Sequence, residues 1–530
     1  MLGLELVVVL CVTVLVCQVA GERLRVAPPI LLLVAGALIG FVPALREVHL
    51  PPEAMLLLFL PALLYWESLT TSLRGIRQDL RGIVLMSTAL VVLTAWAVAA
   101  VAHALGLPWG PAWVLGAAVA PTDATTVGVL ARMLPRRAVT LLRAESLIND
   151  GTALVVYGLA VGITVGEEHL SGPRVGWLFL LAYIGGAAAG AVTAWLGIQV
   201  RRHLDDPLLG NVAMILTPFT AFLLAELIEA SGVLAVVAAG LIMSQAGPRV
   251  VGAATRYQAQ TFWSLATFLL NGVLFVLVGV EAQSAVRDLT SDDLTHAVIT
   301  VMAVSGVLVA VRFAFQFAAA YLIRLLDRRP QQRLRRVGQR ARVLGAVAGF
   351  RGAVSLAVAL SVPETLDSGA PFPDRDVIVF VTSGVIMVTL VVQGLMLPRV
   401  ARWARLPHDT SVEEERRLAE TTAVEAALEA LPEVAADLGT DPDVVDWTRR
   451  EYETYARVVR AGDTDDDDDP AVVLRHMEDY TALRLALLAR KRAAVVSLRD
   501  KSRIDDTVLR QVQALLDIEE VRLSGAELHE

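Results

Sequence analysis

Charge is scarce in this sequence and cysteine almost absent. Of 530 residues only 19% are Asp, Glu, Lys or Arg, against 55% hydrophobic, and the mean hydropathy is +0.59. A water-soluble chain cannot hide that much apolar surface, so the composition excludes one and implies a polytopic membrane protein. The two cysteines, Cys11 and Cys17, lie in one apolar stretch, which excludes a disulfide framework and a thiolate zinc site. The eight histidines show no metal-ligand spacing. A net charge of −8 gives no reason to invoke nucleic acid. GxxxxGK[ST], GxGxxG after a strand, and HExxH are all missing, so nothing supports an ATPase, a dehydrogenase or a zinc protease. The chain reads as a non-enzyme that needs no cofactor.

The charge that is present is unevenly spread. Residues 401–530 hold 18 basic and 30 acidic side chains, whereas the first 400 hold 28 and 24. This shift predicts a membrane domain over 1–400 and a helical cytosolic tail over 401–530, with the boundary between Pro398 and Pro407. Tail helices are expected at about 412–431, 443–459 and 471–499, with a last one towards Arg522. The acidic run Asp465–Asp469 reads as a solvated linker.

A bilayer core needs about 20 apolar residues per helix. On that basis about thirteen spans are expected, near 3–20, 28–45, 52–70, 82–104, 111–133, 144–166, 175–200, 208–228, 231–246, 262–281, 296–323, 343–362 and 376–398. The first lacks the basic leader of a signal peptide, since Glu5 is the only charge before it. Loops after odd-numbered spans carry 21 arginines, eight of them between Arg324 and Arg342, against 4 after even-numbered spans. The positive-inside rule then puts the N-terminus outside and the C-terminus in the cytoplasm of a cell-membrane protein.

Ionisable groups inside spans are costly and therefore informative. They are Glu67, Asp123, Glu145, Asp150, Glu226, Arg312 and Arg351. The fifth span carries Ala120-Pro121-Thr122-Asp123-Ala124-Thr125-Thr126. Pro121 removes a backbone donor at mid-span, and irregular backbone at that depth survives only within protein or beside a water-filled cavity. A carboxylate and hydroxyls at such a break make an oxygen-rich spot suited to a hard cation, with a simple proline kink as the plain alternative. In the sixth span Ser146 and Asp150 are i, i+4 and share a face, while Glu145 and Asn149 share the neighbouring one. In the twelfth, Gly349 and Gly352 flank Arg351 within an apolar run. An unpaired guanidinium there would be very costly, which makes Glu145 its expected partner. Two interrupted helices in corresponding positions suggest inverted repeats, spans four to six mirroring eleven to thirteen. Glu226, Arg312 and the lone His103 read as structural.

These segments resemble the signature of the monovalent cation:proton antiporter-1 family, the sodium/proton exchangers that include bacterial NhaP-type proteins. The resemblance rests on Pro121-Thr122-Asp123, on Glu145-Ser146 with Asn149-Asp150, and on Phe350-Arg351-Gly352-Ala353-Val354-Ser355. Weaker matches are Ala225-Glu226 with Ser231-Gly232, and Asn271-Gly272 with Phe275. It implies a homodimer in the lipid bilayer, with two broken crossing helices in a six-helix core that moves against a dimerisation domain. It implies that Asp150 binds cation and proton alternately, and that Asp123, Thr122 and Ser146 complete a Na+ site. It also implies that Glu145 pairs with Arg351, and that Asn149 marks the electroneutral branch. One departure concerns Leu60-Pro61-Ala62-Leu63-Leu64-Tyr65-Trp66-Glu67, where the acid falls one residue later than the family's pattern. One residue turns a helix by about 100°, which leaves open whether Glu67 faces the site.

The expected mechanism follows from one carboxylate neutralised by either of two ligands. If only the neutralised site crosses the bilayer easily, one proton exchanges for one cation, electroneutrally and by alternating access. The alternatives are a K+/H+ antiporter of the same architecture, a cation channel or symporter, and an intramembrane aspartyl protease using Asp123 and Asp150. The protease reading leaves Arg351 without a task and lacks a Gly-x-Gly-Asp context.

Overall fold

The computed structural model describes residues 2–24, 26–42, 52–123, 136–166, 172–204, 206–288, 291–326, 338–366, 368–406, 411–460, 470–501, 503 and 506–524. Among these the chain is helical, and its one strand-like contact is an isolated bridge between Thr365 and Pro371. It divides into two compact units, Met1–Asp409 and Thr410–Glu530.

The first unit comprises α1 (Leu2–Leu24), α2 (Pro28–Ile39), α3 (Pro52–Thr70), α4 (Leu73–Ala104), α5 (Trp109–Val119), α6 (Arg136–Val165) and α7 (Gly172–Arg202). It continues with α8 (Pro207–Glu226), α9 (Gly232–Val250), α10 (Ala253–Asp288), α11 (Ser291–Leu326), α12 (Gln339–Val347), α13 (Ala353–Leu360) and α14 (Arg375–Ala404). Helix starts follow local chemistry. Prolines open α2 and α8, where a missing N–H costs nothing. The side chains of Ser72, Asp206 and Ser231 cap α4, α8 and α9 by accepting from the amides of Gly75, Leu208 and Leu234.

Among the described residues, eight helices are long and apolar enough to cross a membrane, and four more are apolar but shorter. The remaining predicted span, the twelfth, is the interrupted pair α12 and α13. The fifth span is helical only as far as Val119, and 124–133 lie outside the described residues. Most of the Arg324–Arg342 run lies outside them as well.

One buried cluster joins α4, α5 and α6 to α11, α13 and α14, through residues such as Val91, Leu115, Ala153, Val304, Val358 and Val381. Each triplet is a long helix, an interrupted helix and another long helix, so the two expected repeats pack together as one core. A second cluster ties α1, α2 and α10 to α12, α13 and α14. A third unites α3, α7, α8, α9 and α10 with Leu147 of α6.

The second unit holds α15 (Ser411–Leu438), α16 (Pro442–Arg460), α17 (Pro470–Asp500) and α18 (Asp506–Ser524). The first of these runs past its expected end at 431 and through Pro432. In that mostly exposed stretch the carbonyl freed by the proline can be met by water. Helices α17 and α18 are bridged by Lys491–Glu519 at 3.3 Å and Arg492–Asp517 at 2.5 Å. The Asp465–Asp469 run lies outside the described residues.

Candidate functional site

The two interruptions meet. After α5 ends at Val119, residues 120–123 leave the helical path at Pro121. After α12 ends at Val347, the chain is non-helical until α13 begins at Ala353. The Asp123 N–H donates to the Phe350 carbonyl at 2.8 Å, joining the two unwound segments through main-chain atoms.

A helix that stops in mid-membrane leaves carbonyls without partners and the negative end of its dipole exposed. Arg351 answers both needs. Its Nε donates to the Val119 carbonyl at the end of α5 at 2.9 Å, and Nη1 donates to the Gly349 carbonyl just past α12. Among the described residues it makes no ion pair. The expected Glu145–Arg351 pair is therefore corrected: Glu145 pairs with Arg312 of α11, Nη1 to Oε1, at 2.8 Å. The reason is space at Gly349. A Cβ there would stand 2.5 Å from Cδ of Arg312, so the missing side chain lets the arginine pass, and its Nε also donates to the Gly345 carbonyl at 3.1 Å. Arg312 is thus paired in the bundle interior, and Arg351 serves backbone.

Gly352 has a separate task. A Cβ there would collide with the Asp123 carboxylate, so only glycine lets that acid lie against the start of α13, where the helix dipole is positive.

Helix α6 closes the arrangement. Ser146, Asn149 and Asp150 are all buried, at 2%, 0% and 3% exposure. Ser146 Oγ donates to the Thr122 carbonyl at 2.6 Å. The Asn149 amide and the Thr122 hydroxyl lie 3.1 Å apart. With its nitrogen donating to the carbonyls of Glu145 and Ser87, both at 3.2 Å, the Asn149 oxygen accepts from that hydroxyl. Ser146 and Asn149 thereby hold the loose end of α5 against α6. Asp150 is different, because its Oδ1 is buried and has no hydrogen-bond partner among the described residues.

That side chain borders a cavity of about 30 Å³, the scale of one or two water molecules. Pro121, Thr122, Asp123, Ser146 and Asp150 line it from one side, and Gly352, Val354 and Ser355 from the other break. Helix α3 adds Leu63, Leu64 and Glu67, and α10 adds Asn271. The four expected ligand residues are thus together, while Asn149 stands behind them and Glu145 and Arg351 lie outside the lining. Glu67 faces the cavity, which the sequence left open. It follows Leu63 and Leu64 at i+4 and i+3 on one face, and Trp66 instead stacks on Trp263 at 6.0 Å. The packing of α3 sets that face. Asn271 and Ser355 were present in the sequence motifs but uncharged, so the cost of burying charge did not single them out.

The carboxylates of Glu67, Asp123 and Asp150 stand around the cavity rather than converging. Among the described residues no three of His, Cys, Asp or Glu gather at metal-binding distance. Chemically these oxygens are able to neutralise a small cation or accept a proton. Of the residues read as structural, Glu226 is exposed at the end of α8. His103 contacts the Leu107 carbonyl at 2.8 Å and stacks on Trp109. Thr125 and Thr126 lie outside the described residues.

Known proteins share the fold. The chain has the fold of the sodium proton antiporter MjNhaP1 from Methanocaldococcus jannaschii, with a TM-score of 0.58 at 19% identity over 76% of this chain and 99% of that one. An uncharacterized Na(+)/H(+) exchanger of Mycobacterium tuberculosis is 47% identical over 524 residues, 98% of this chain and 96% of the relative. A sodium, potassium, lithium and rubidium/H(+) antiporter of Bacillus pumilus is 28% identical over 448 residues, 80% of this chain and 66% of the relative. Residues 7–403 match the family described as sodium/hydrogen exchanger, transmembrane. From the crossed breaks to the length of the match, the chain belongs to the sodium/hydrogen exchanger family, whose members are membrane transporters and not enzymes.

Proposed function

We propose that this cation/proton antiporter exchanges Na+ for H+ one for one, with both ions competing for Asp150. The observation that carries the reading is the buried Oδ1 of Asp150, without a partner among the described residues, beside a cavity walled by both broken helices. A buried polar atom without a partner is costly, and a transported ion supplies the missing interaction. Asp123, Ser146 and Thr122 complete the cation site, and Glu67 adds a further carboxylate. The empty, charged site meets a larger desolvation penalty in crossing than the filled one, so alternating access is coupled to occupancy. Asn149, Glu145 and Arg351 support the site without touching the ion. The transporter works as a homodimer in the cell membrane, N-terminus outside, with residues 401–530 as a cytosolic and regulatory tail.

A second reading, K+/H+ exchange in the same site, is favoured by the Bacillus pumilus relative, whose name includes potassium, lithium and rubidium.

Proteoliposomes enclosing a pH-sensitive dye test the proposal. An inward Na+ gradient should move protons outward without added permeant counter-ion. The apparent KM for Na+ should rise about tenfold for each unit of acidification once protons hold most of the site. Proton movement that needs a counter-ion, or a KM indifferent to pH, overturns competition at one carboxylate. Repeating the assay with K+ and Li+ ranks the two readings.

A further inference from the structure

Four arginines away from the cavity have no acidic partner among the described residues. Arg340 lies in the first turn of α12, Arg399 and Arg402 in the last turns of α14, and Arg405 caps that helix. With Trp403 they line an open pocket of about 690 Å³. The Arg340 guanidinium lies over the Trp403 ring, 5.8 Å from its centroid, and Trp403 is 54% exposed. Arg399 Nη1 donates to the Leu395 carbonyl at 2.8 Å, and Arg402 Nε to the Pro398 carbonyl at 3.3 Å. Among the described residues no acid takes the other donors of these two forks. Arg405 takes a left-handed backbone, φ 45°, which side chains other than glycine adopt at a cost. Four like charges around one pocket repel each other until an anion lies among them.

The position of the pocket narrows the choice of anion. The apolar stretch of α14 long enough to cross a membrane ends at Ala404, and Trp and Arg are the residues that favour a bilayer boundary. The same face of α14 continues from the arginines into Leu395, Met396 and Val392, which are 54%, 47% and 49% exposed. At spacings of three and four residues, 392, 395, 396, 399, 402 and 403 form one stripe, apolar first and cationic after. A free phosphate uses only the cationic half of that stripe, whereas a phospholipid uses both.

We propose that this pocket binds the phosphate of an anionic phospholipid of the phosphatidylglycerol class, its acyl chains lying along Val392, Leu395 and Met396. Planar guanidinium forks match phosphate oxygens in pairs, and basic pockets at helix ends suit such headgroups. The full-length protein in nanodiscs carrying a photoreactive phosphatidylglycerol tests this directly. Crosslinks should map to 339–342 and 392–405, and labelling confined to other faces overturns the proposal. In detergent, added phosphatidylglycerol should raise the thermal midpoint above that with phosphatidylcholine. An Arg399→Gln/Arg402→Gln variant should lose at least half of that difference. An undiminished difference in the variant, or inorganic phosphate alone reproducing it in the wild type, overturns the lipid assignment. The crosslinking arm uses unaltered protein and stays decisive if the variant fails to fold.

Discussion

Where α5 breaks, the loose segment carries an acid, Asp123; where α12 gives way to α13, it carries a base, Arg351. The first side chain borders the cavity, and the second turns to the carbonyls of Val119 and Gly349. The first break is pinned by other residues, Ser146 and Asn149, whereas the second pins both breaks with its own arginine. Crossing two broken helices creates two problems, a binding surface to furnish and loose backbone to satisfy. The comparison teaches that these are divided between the breaks. Helix α6 repeats the division within two turns, with Asp150 Oδ1 lacking a partner among the described residues beside the cavity and Glu145 committed to Arg312.

The sharpest test of that division is Asp150→Asn. Exchange should fall to background in the proteoliposome assay while size-exclusion chromatography shows an unchanged folded species. Retained exchange would assign the binding role to Asp123 or Glu67 instead. Arg351→Gln should act on the opposite ledge, losing about 3 kcal/mol of stability as charge-assisted hydrogen bonds to buried carbonyls are removed. Thermal unfolding in detergent reads this, and a variant as stable as wild type with altered ion affinity would reverse the roles of the two breaks.

The glycines offer a finer contrast. Gly352→Ala should push the Asp123 carboxylate from its seat and raise the apparent KM for Na+ more than it lowers the thermal midpoint. Gly349→Ala should displace Arg312 and cost about 1–3 kcal/mol of stability with a smaller change in KM. Identical behaviour of the two variants would erase the distinction. The smallest effect is expected for Asn149→Ala, about 1 kcal/mol from the lost clasp on Thr122, seen as a few degrees in thermal midpoint with exchange still measurable.

The spans were legible because the bilayer imposes a length and forbids charge. Pro121 and the pair Gly349 and Gly352 announced the breaks because each is expensive or pointless in an uninterrupted membrane helix. The i, i+4 spacing of Ser146 and Asp150 put both on the cavity side. What failed depended on space rather than on residue type. On paper Arg351 is the expected partner for Glu145 and Arg312 reads as structural, whereas the room left at Gly349 decides for Arg312. Spacing left the direction of Glu67 open, since it is set by how Trp66 packs on Trp263. Asn271 and Ser355 border the cavity without charge, so no energetic penalty drew attention to them.

The link from the Asp123 amide to the Phe350 carbonyl is made by atoms every residue but proline possesses. The bond itself therefore survives replacement of either side chain, and what holds Asp123 to its identity is the cavity it borders rather than this junction. A proline at 123 is the one standard amino acid whose chemistry deletes it outright.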